Sequence, residues 1–161
     1  MALPKYTKIT RNGVEFIDNS DRAMYTITEL SRAAMLDVGK YIVMKARGAF
    51  YGFLKRRTGS SRRSIQYWVP RRDEDGKEYR VAKLIVGYKV FDPKKNIHLP
   101  GFKAAFQELG TEHQKKLGVL YNAVNDNIDE IRKIEAQYLS AIDSPDGGES
   151  LIDESEALGD D

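Results

Sequence analysis

Residues 21–57 read DRAMYTITELSRAAMLDVGKYIVMKARGAFYGFLKRR, and the fold turns on this stretch. Met24, Ile27, Leu30, Met35, Val38, Ile42, Ala46, Phe50, Phe53 and Leu54 recur mostly at steps of three to five, the period of one helix face. The spacing predicts a helix from about Asp21 to Arg57, long enough at about 1.5 Å per residue to cross a small domain from end to end. Gly39, Gly48 and Gly52 lie inside it. Each costs up to about 1 kcal/mol relative to Ala, which predicts a bend or a close approach by another element.

Outward from this helix, Asn19-Ser20-Asp21 is a start signal, since short polar side chains accept from the free N–H groups of a first turn. Before it, a short strand is expected at Gly13–Ile17. After it, Thr58-Gly59-Ser60 reads as a stop, with Gly59 in a left-handed cap. Ile65, Tyr67 and Val69 alternate with Ser64, Gln66 and Trp68, which predicts a strand over Ser64–Val69. Asp75-Gly76 supplies a hairpin turn, and a return strand is expected over about Glu78–Phe91 with Ala82, Leu84, Val86, Tyr88 and Val90 on one face. Asp92–Gly101 reads as a loop. Phe102, Ala105, Phe106 and Leu109 have helical spacing, with Gly110 as cap; Phe102, Ala104 and Phe106 would also alternate as a strand, but helix is the preferred reading, and a second long helix is expected from Val119 to Ile142. The class is therefore α+β: long N-terminal helix, antiparallel hairpin, short helix, long C-terminal helix. The expected organisation is an arm over 1–20, one domain over 21–142, and an acidic, flexible tail over 143–161. A lone hairpin is marginal in water, so its apolar face should rest on the long helix or on another subunit.

The chain has 161 residues with a net charge of +2, but the charges are unevenly placed. Eight acids and no bases follow from Asp143 onward, leaving 26 bases against 16 acids, a net +10, in residues 1–142. A basic body with an acidic tail fits pairing between surfaces, contact with phosphates, or plain solvation. Cysteine is absent, which excludes disulfides, thiol catalysis and thiolate metal sites. No apolar run is long enough to span a membrane, and residues 1–10 lack the apolar core of a signal peptide.

Enzymatic chemistry finds little support. His98 and His113 are the only histidines and have no third ligand at metal spacing. Arg57-Thr58-Gly59-Ser60-Ser61 lacks the glycine spacing and the lysine of a phosphate loop. Glu108 and Glu112 could be called paired carboxylates, yet nothing in the sequence desolvates or orients them, and they read as a helix-end charge and a loop charge. Neither catalysis nor a cofactor or metal is expected. The basic residues are more suggestive: Lys55, Arg56, Arg57, Arg62 and Arg63 surround the expected helix end, Arg71 and Arg72 the hairpin turn, and Lys94, Lys95, Lys115 and Lys116 lie in loops. Cations at a helix C-terminus are favoured by its dipole, but arginines can also grip carboxylates of another subunit or phosphates.

One ordered set of motifs carries a resemblance. Thr58-Gly59 with Ser64-Ile65, then Ile85-Val86-Gly87, then Glu108-Leu109-Gly110-Thr111, then the helix Leu120 to Ile131, resembles the phage gp-ten-like tail component family, also called neck, head–tail joining or tail-completion proteins. The family's proline before Thr-Gly and its Pro-Phe before the last helix are missing here; Arg56-Arg57 and Lys116-Leu117-Gly118-Val119 stand in their places. The resemblance implies a structural virion protein, assembled in the host cytoplasm into a six- or twelve-fold ring. Its implied partners are further copies of itself, neighbouring connector or adaptor and tail tube or terminator proteins, and double-stranded DNA passing without sequence readout. On that view Arg56, Arg57, Arg62, Arg63, Arg71, Arg72, Lys94 and Lys95 are expected at an interface or near the DNA. The alternative is a small basic nucleic-acid-binding protein.

Overall fold

The computed structural model describes residues 7–11, 13–53, 60–71, 82–92, 97–98, 101–143 and 151. In chain order they form β1 (Thr7–Arg11), β2 (Val14–Asp18), α1 (Ser20–Phe53), α2 (Ser60–Ser64), β3 (Ile65–Trp68), β4 (Ile85–Tyr88), β5 (Phe91–Asp92), β6 (Ile97–His98), α3 (Gly101–Leu109), α4 (Val119–Asn125), α5 (Ile128–Ser140) and a 3₁₀ turn (Ala141–Asp143). The class is α+β, with three antiparallel two-stranded ladders, β1–β2, β3–β4 and β5–β6. Among the described residues no helix is long and apolar enough to cross a membrane.

The helix α1 is the spine. It starts where the sequence places it, and Asp18 Oδ1 accepts the Ser20 N–H at 2.9 Å. Hydrogen bonds from Ser20, first its hydroxyl and then its N–H, hold the Asp18 carboxyl below its usual range. Leu30, Ala33, Ala34, Val38, Ile42, Val43, Ala46 and Phe50 form its buried stripe. Against the C-terminal part of that stripe pack Ile65 of β3, Leu84, Val86 and Tyr88 of the return chain, Ala104 of α3, and Val119, Ala123 and Ile131 of α4 and α5. The face named from sequence alternation is therefore the one that meets α1. The first turns are less covered: Met24 and Ile27, expected in the stripe, are about half exposed.

Gly39 resolves as close packing, with α1 continuous through it. A Cβ there would run into the Tyr67 ring and come within 3.0 Å of Leu84 Cδ1, so the missing side chain sets how near β3 lies to the helix. Gly48 and Gly52 face open space and carry no such role.

Four expectations need correction. The strand before α1 is one arm of a hairpin: Thr7–Arg11 pairs with Val14–Asp18, Ile9 opposite Phe16. Ser64, expected as a strand residue, closes the short helix α2, its hydroxyl donating to the Ser61 carbonyl at 2.6 Å. The return strand is shorter than expected; its ladder covers Ile85–Tyr88, and the chain re-pairs at Phe91–Asp92 with Ile97–His98 inside the expected loop. The C-terminal helix is two helices with a break at Asp126–Asn127. There the Asn127 N–H turns to the Val124 carbonyl at 3.2 Å, and its side-chain amide takes the abandoned Ala123 carbonyl at 3.1 Å. Asparagine competes with the helix backbone in this way. Asn127 Oδ1 also accepts from the Tyr41 hydroxyl at 3.1 Å, fixing the break onto α1. The expected stop at Thr58-Gly59, the turn at Asp75-Gly76 and most of the tail lie outside the described residues.

A pair of substitutions tests the spine. Gly48→Ala should raise stability by about 0.5–1 kcal/mol through helix propensity. Gly39→Ala should lower it by about 1–3 kcal/mol because the Tyr67 ring must move. Urea unfolding of the two variants reads both signs.

Candidate functional site

Three of the motif residues, Glu108, Gly110 and Thr111, build the corner where α3 hands the chain to α4. Gly110 takes φ 81°, and its N–H closes onto the Phe106 carbonyl at 2.8 Å. Thr111 and Gln114 exchange both backbone hydrogen bonds, at 2.9 and 3.1 Å, making a four-residue loop. The returning chain then donates the Leu117 N–H to the Gln107 carbonyl at 2.9 Å and the Gly118 N–H to the Glu108 carbonyl at 3.3 Å, satisfying the end of α3.

Glu108 completes the corner. The residue before α4 is Gly118, which has φ 58° and no side chain to cap with. The Glu108 carboxylate does this from the preceding helix: it accepts the Leu120 N–H at 3.0 and 3.1 Å and the Tyr121 N–H at 3.2 Å. The Tyr88 hydroxyl donates to the same carboxylate at 2.9 Å, joining the sheet to both helices. A negative charge is favoured at a helix N-terminus by the free N–H groups and the dipole. Burial first, then the bond to Glu108, pushes the Tyr88 phenol far above its usual range. The reading of Glu108 as a plain helix-end charge is thus corrected: its partners lie 12, 13 and 20 residues away, beyond any local pattern. Glu112 is exposed in the Thr111–Gln114 loop.

The other motif residues are also structural. Ser64 and Ile65 are buried, the Ser64 carbonyl accepts the Lys89 N–H at 2.7 Å, and the Ile65 carbonyl accepts from the Arg47 guanidinium at 2.8 Å. Gly87 pairs with Gln66, and a Cβ there would lie 3.8 Å from the Trp68 ring. Thr58 and Gly59 lie outside the described residues.

Among the described residues the basic side chains named from the sequence fall in two places. Arg62 lines a cleft of about 680 Å³ between α1 and β3, together with Lys40, Arg47, Met44, Gln66 and Trp68. Arg63 is exposed beside it in sequence. Arg71 approaches Glu29 of α1 at 3.8 Å, as Arg32 does at 3.9 Å, so it is engaged by the body. Arg56, Arg57, Arg72, Lys94 and Lys95 lie outside the described residues. Lys40 and Arg47, within the long helix, escaped the sequence reading because nothing local distinguishes them from solvated helix charges. Among the described residues no group of three or more His, Asp or Glu side chains could hold a metal ion.

Two surfaces run against the usual burial pattern. On α3 the buried residues are Gly101 and Ala104, while Phe102, Phe106 and Leu109 face outward, Leu109 at 73% exposure. The two phenylalanine rings meet edge to face at 4.6 Å between centroids, a preassembled apolar ridge. On the N-terminal hairpin every described residue is exposed, including Ile9, Val14, Phe16 and Ile17.

Comparison with protein-family models, with curated proteins and with solved structures yields no significant match.

The corner predicts a specific alkaline response. The folded state keeps the Tyr88 proton above its ordinary value of 10.0, whereas the unfolded chain releases it there, so stability is present below pH 10 and falls as pH rises beyond it. Tyr88→Phe should cost about 1 kcal/mol at pH 8 through the lost hydrogen bond, and the deficit should shrink above pH 10. Glu108→Ala should cost about 1–3 kcal/mol at neutral pH, with the amides of Leu120 and Tyr121 losing protection in hydrogen exchange.

Proposed function

We propose that this chain is a structural subunit that assembles with copies of itself into a closed ring at the neck of a tailed-phage virion, between head and tail. The observation that carries the self-assembly is the α3 ridge. A helix with two phenylalanines and a leucine on one stripe has turned that stripe to solvent and kept only Gly101 and Ala104 for its own core. Exposed apolar ridges of this kind mark interaction surfaces. Placement in the neck rests on the ordered motifs, whose residues make the buried corner and strand packing on which that ridge is mounted. A head-to-tail contact between identical subunits closes into a ring when its rotation closes. In this reading the ring surrounds DNA that passes without sequence readout. Adaptor and tail tube or terminator proteins dock above and below it, and the reaction chemistry of an enzyme has no part.

A second reading, a nucleic-acid-binding protein, is favoured by the cleft that gathers Lys40, Arg47 and Arg62 beside Trp68, which is 47% exposed. Such a site could hold phosphates and stack a base. Affinity carried by several phosphates must fall steeply and log-linearly with salt.

The full-length protein at tens of micromolar should sediment as a discrete oligomer and appear as closed rings in negative-stain images. Phe102→Ser, which leaves the buried face of α3 intact, should shift it toward smaller species with an unchanged circular dichroism spectrum. A protein that remains monomeric, and whose DNA affinity falls steeply with salt, would support the second reading.

A further inference from the structure

The N-terminal hairpin is amphipathic, and every described residue of it is exposed. Its register places Thr7, Ile9, Arg11, Val14, Phe16 and Asp18 on one face, with Ile9 opposite Phe16, Arg11 opposite Val14, and Asp18, bound to the Ser20 N–H, at the far end opposite Thr7. The other face carries Lys8, Thr10, Glu15 and Ile17, with Lys8 and Glu15 joined by a 2.9 Å ion pair. The apolar face is bare: Ile9, Val14 and Phe16 are 54%, 70% and 61% exposed. A two-stranded hairpin with no packing partner is marginally stable in water.

The same chain presents a matching groove. Ile27, Leu30, Ala34 and Met35 of α1 face Tyr138 and Leu139 of α5 and Ile142 across a cavity of about 240 Å³. The groove runs about 12 Å along α1 at 1.5 Å per residue, which suits a cluster of three apolar side chains. Its lining holds one charged residue, Glu135, and the apolar face of the hairpin holds one cation, Arg11. Neither makes an ion pair among the described residues. The α3 ridge is a poorer seat, because Lys103 stands exposed next to Phe102 and would face Arg11 with like charge.

We propose that the hairpin of one copy seats its Ile9–Val14–Phe16 face in the α1–α5 groove of a neighbouring copy, with Arg11 meeting Glu135. The proposal rests on the self-assembly reading above and adds a second contact between one subunit and the next, beside that of the α3 ridge. Arm and groove are different surfaces of the same chain, so a contact made in one direction is head-to-tail and closes into a ring when its rotation closes.

The absence of native cysteine makes the test clean. Full-length chains carrying Phe16→Cys and Leu139→Cys are mixed and oxidised mildly. The expected product is a mixed disulfide dimer in clear excess over either self-pair. In parallel, Arg11→Glu and Glu135→Arg should each raise the assembly midpoint in sedimentation by about three- to tenfold, and the double reversal should restore it. Phe16→Ser, outside the core, should raise it by more than tenfold with the melting curve of the body retained. If the wild type assembles but mixed disulfides do not form and the reversals do not rescue each other, the hairpin contact is overturned and self-assembly stands. If a chain carrying both cysteines closes on itself as a monomer, the arm belongs to its own groove and the proposal fails. If the wild type stays monomeric throughout, the self-assembly reading fails with it.

Discussion

A helix of thirty-four residues is about 51 Å long, and a compact body of this chain length is only about 40 Å across. The rest of the molecule follows from that mismatch. The sheet β3–β4, the corner of α3 and α4, and the first half of α5 collect around the C-terminal part of α1, where Val38, Ile42, Ala46 and Phe50 form a continuous buried stripe. Toward its N-terminus the apolar packing on α1, among the described residues, comes from α5 and Leu151, around a smaller cluster of Leu30, Ala33, Ala34 and Tyr138. Met24 and Ile27 therefore remain exposed, and a groove stays open beside them.

The elements around α1 are joined mostly by polar groups that satisfy one another's backbone. Glu108 caps a helix that has no cap of its own and takes the Tyr88 hydroxyl as well. Asn127 repairs the break between α4 and α5 and receives the Tyr41 hydroxyl. The Tyr138 hydroxyl donates to the Asp37 carboxylate, tying α5 to α1. Each such group would be costly if buried alone and contributes modestly when paired, so these bonds act mainly to select one arrangement of helices. A corner held this way is rigid, and it keeps the short helix α3 at a set angle with its phenylalanines outward. The motif residues thus have a role in construction, and the surface they carry is where contact with other molecules is proposed.

The long helix, its start at Ser20, the alternation of β3 and the inward face of the return chain were all legible in the sequence, because each is a local period or a local cap. Three things were missed. The Asn125-Asp126-Asn127 run was visible, yet the apolar stripe continues through it, and only the Tyr41 contact makes the break pay. The hairpin at 7–18 has its turn signal in the sequence, Asn12-Gly13 between residues 7–11 and 14–18, but the flanking runs are only five residues each and the first carries a single apolar residue, Ile9, so its first arm was missed. The function of Glu108 depends on groups far away along the chain.

By itself, then, the amino-acid sequence determined the α+β class with its long helix, the basic body with its acidic end, and the lack of thiol chemistry, since these depend on composition and short-range spacing. The tertiary structure alone decided which apolar stripes are buried. Helical periodicity marks a stripe as apolar but says nothing of what lies opposite it: the stripe of α1 met the sheet and two helices, while that of α3 met solvent.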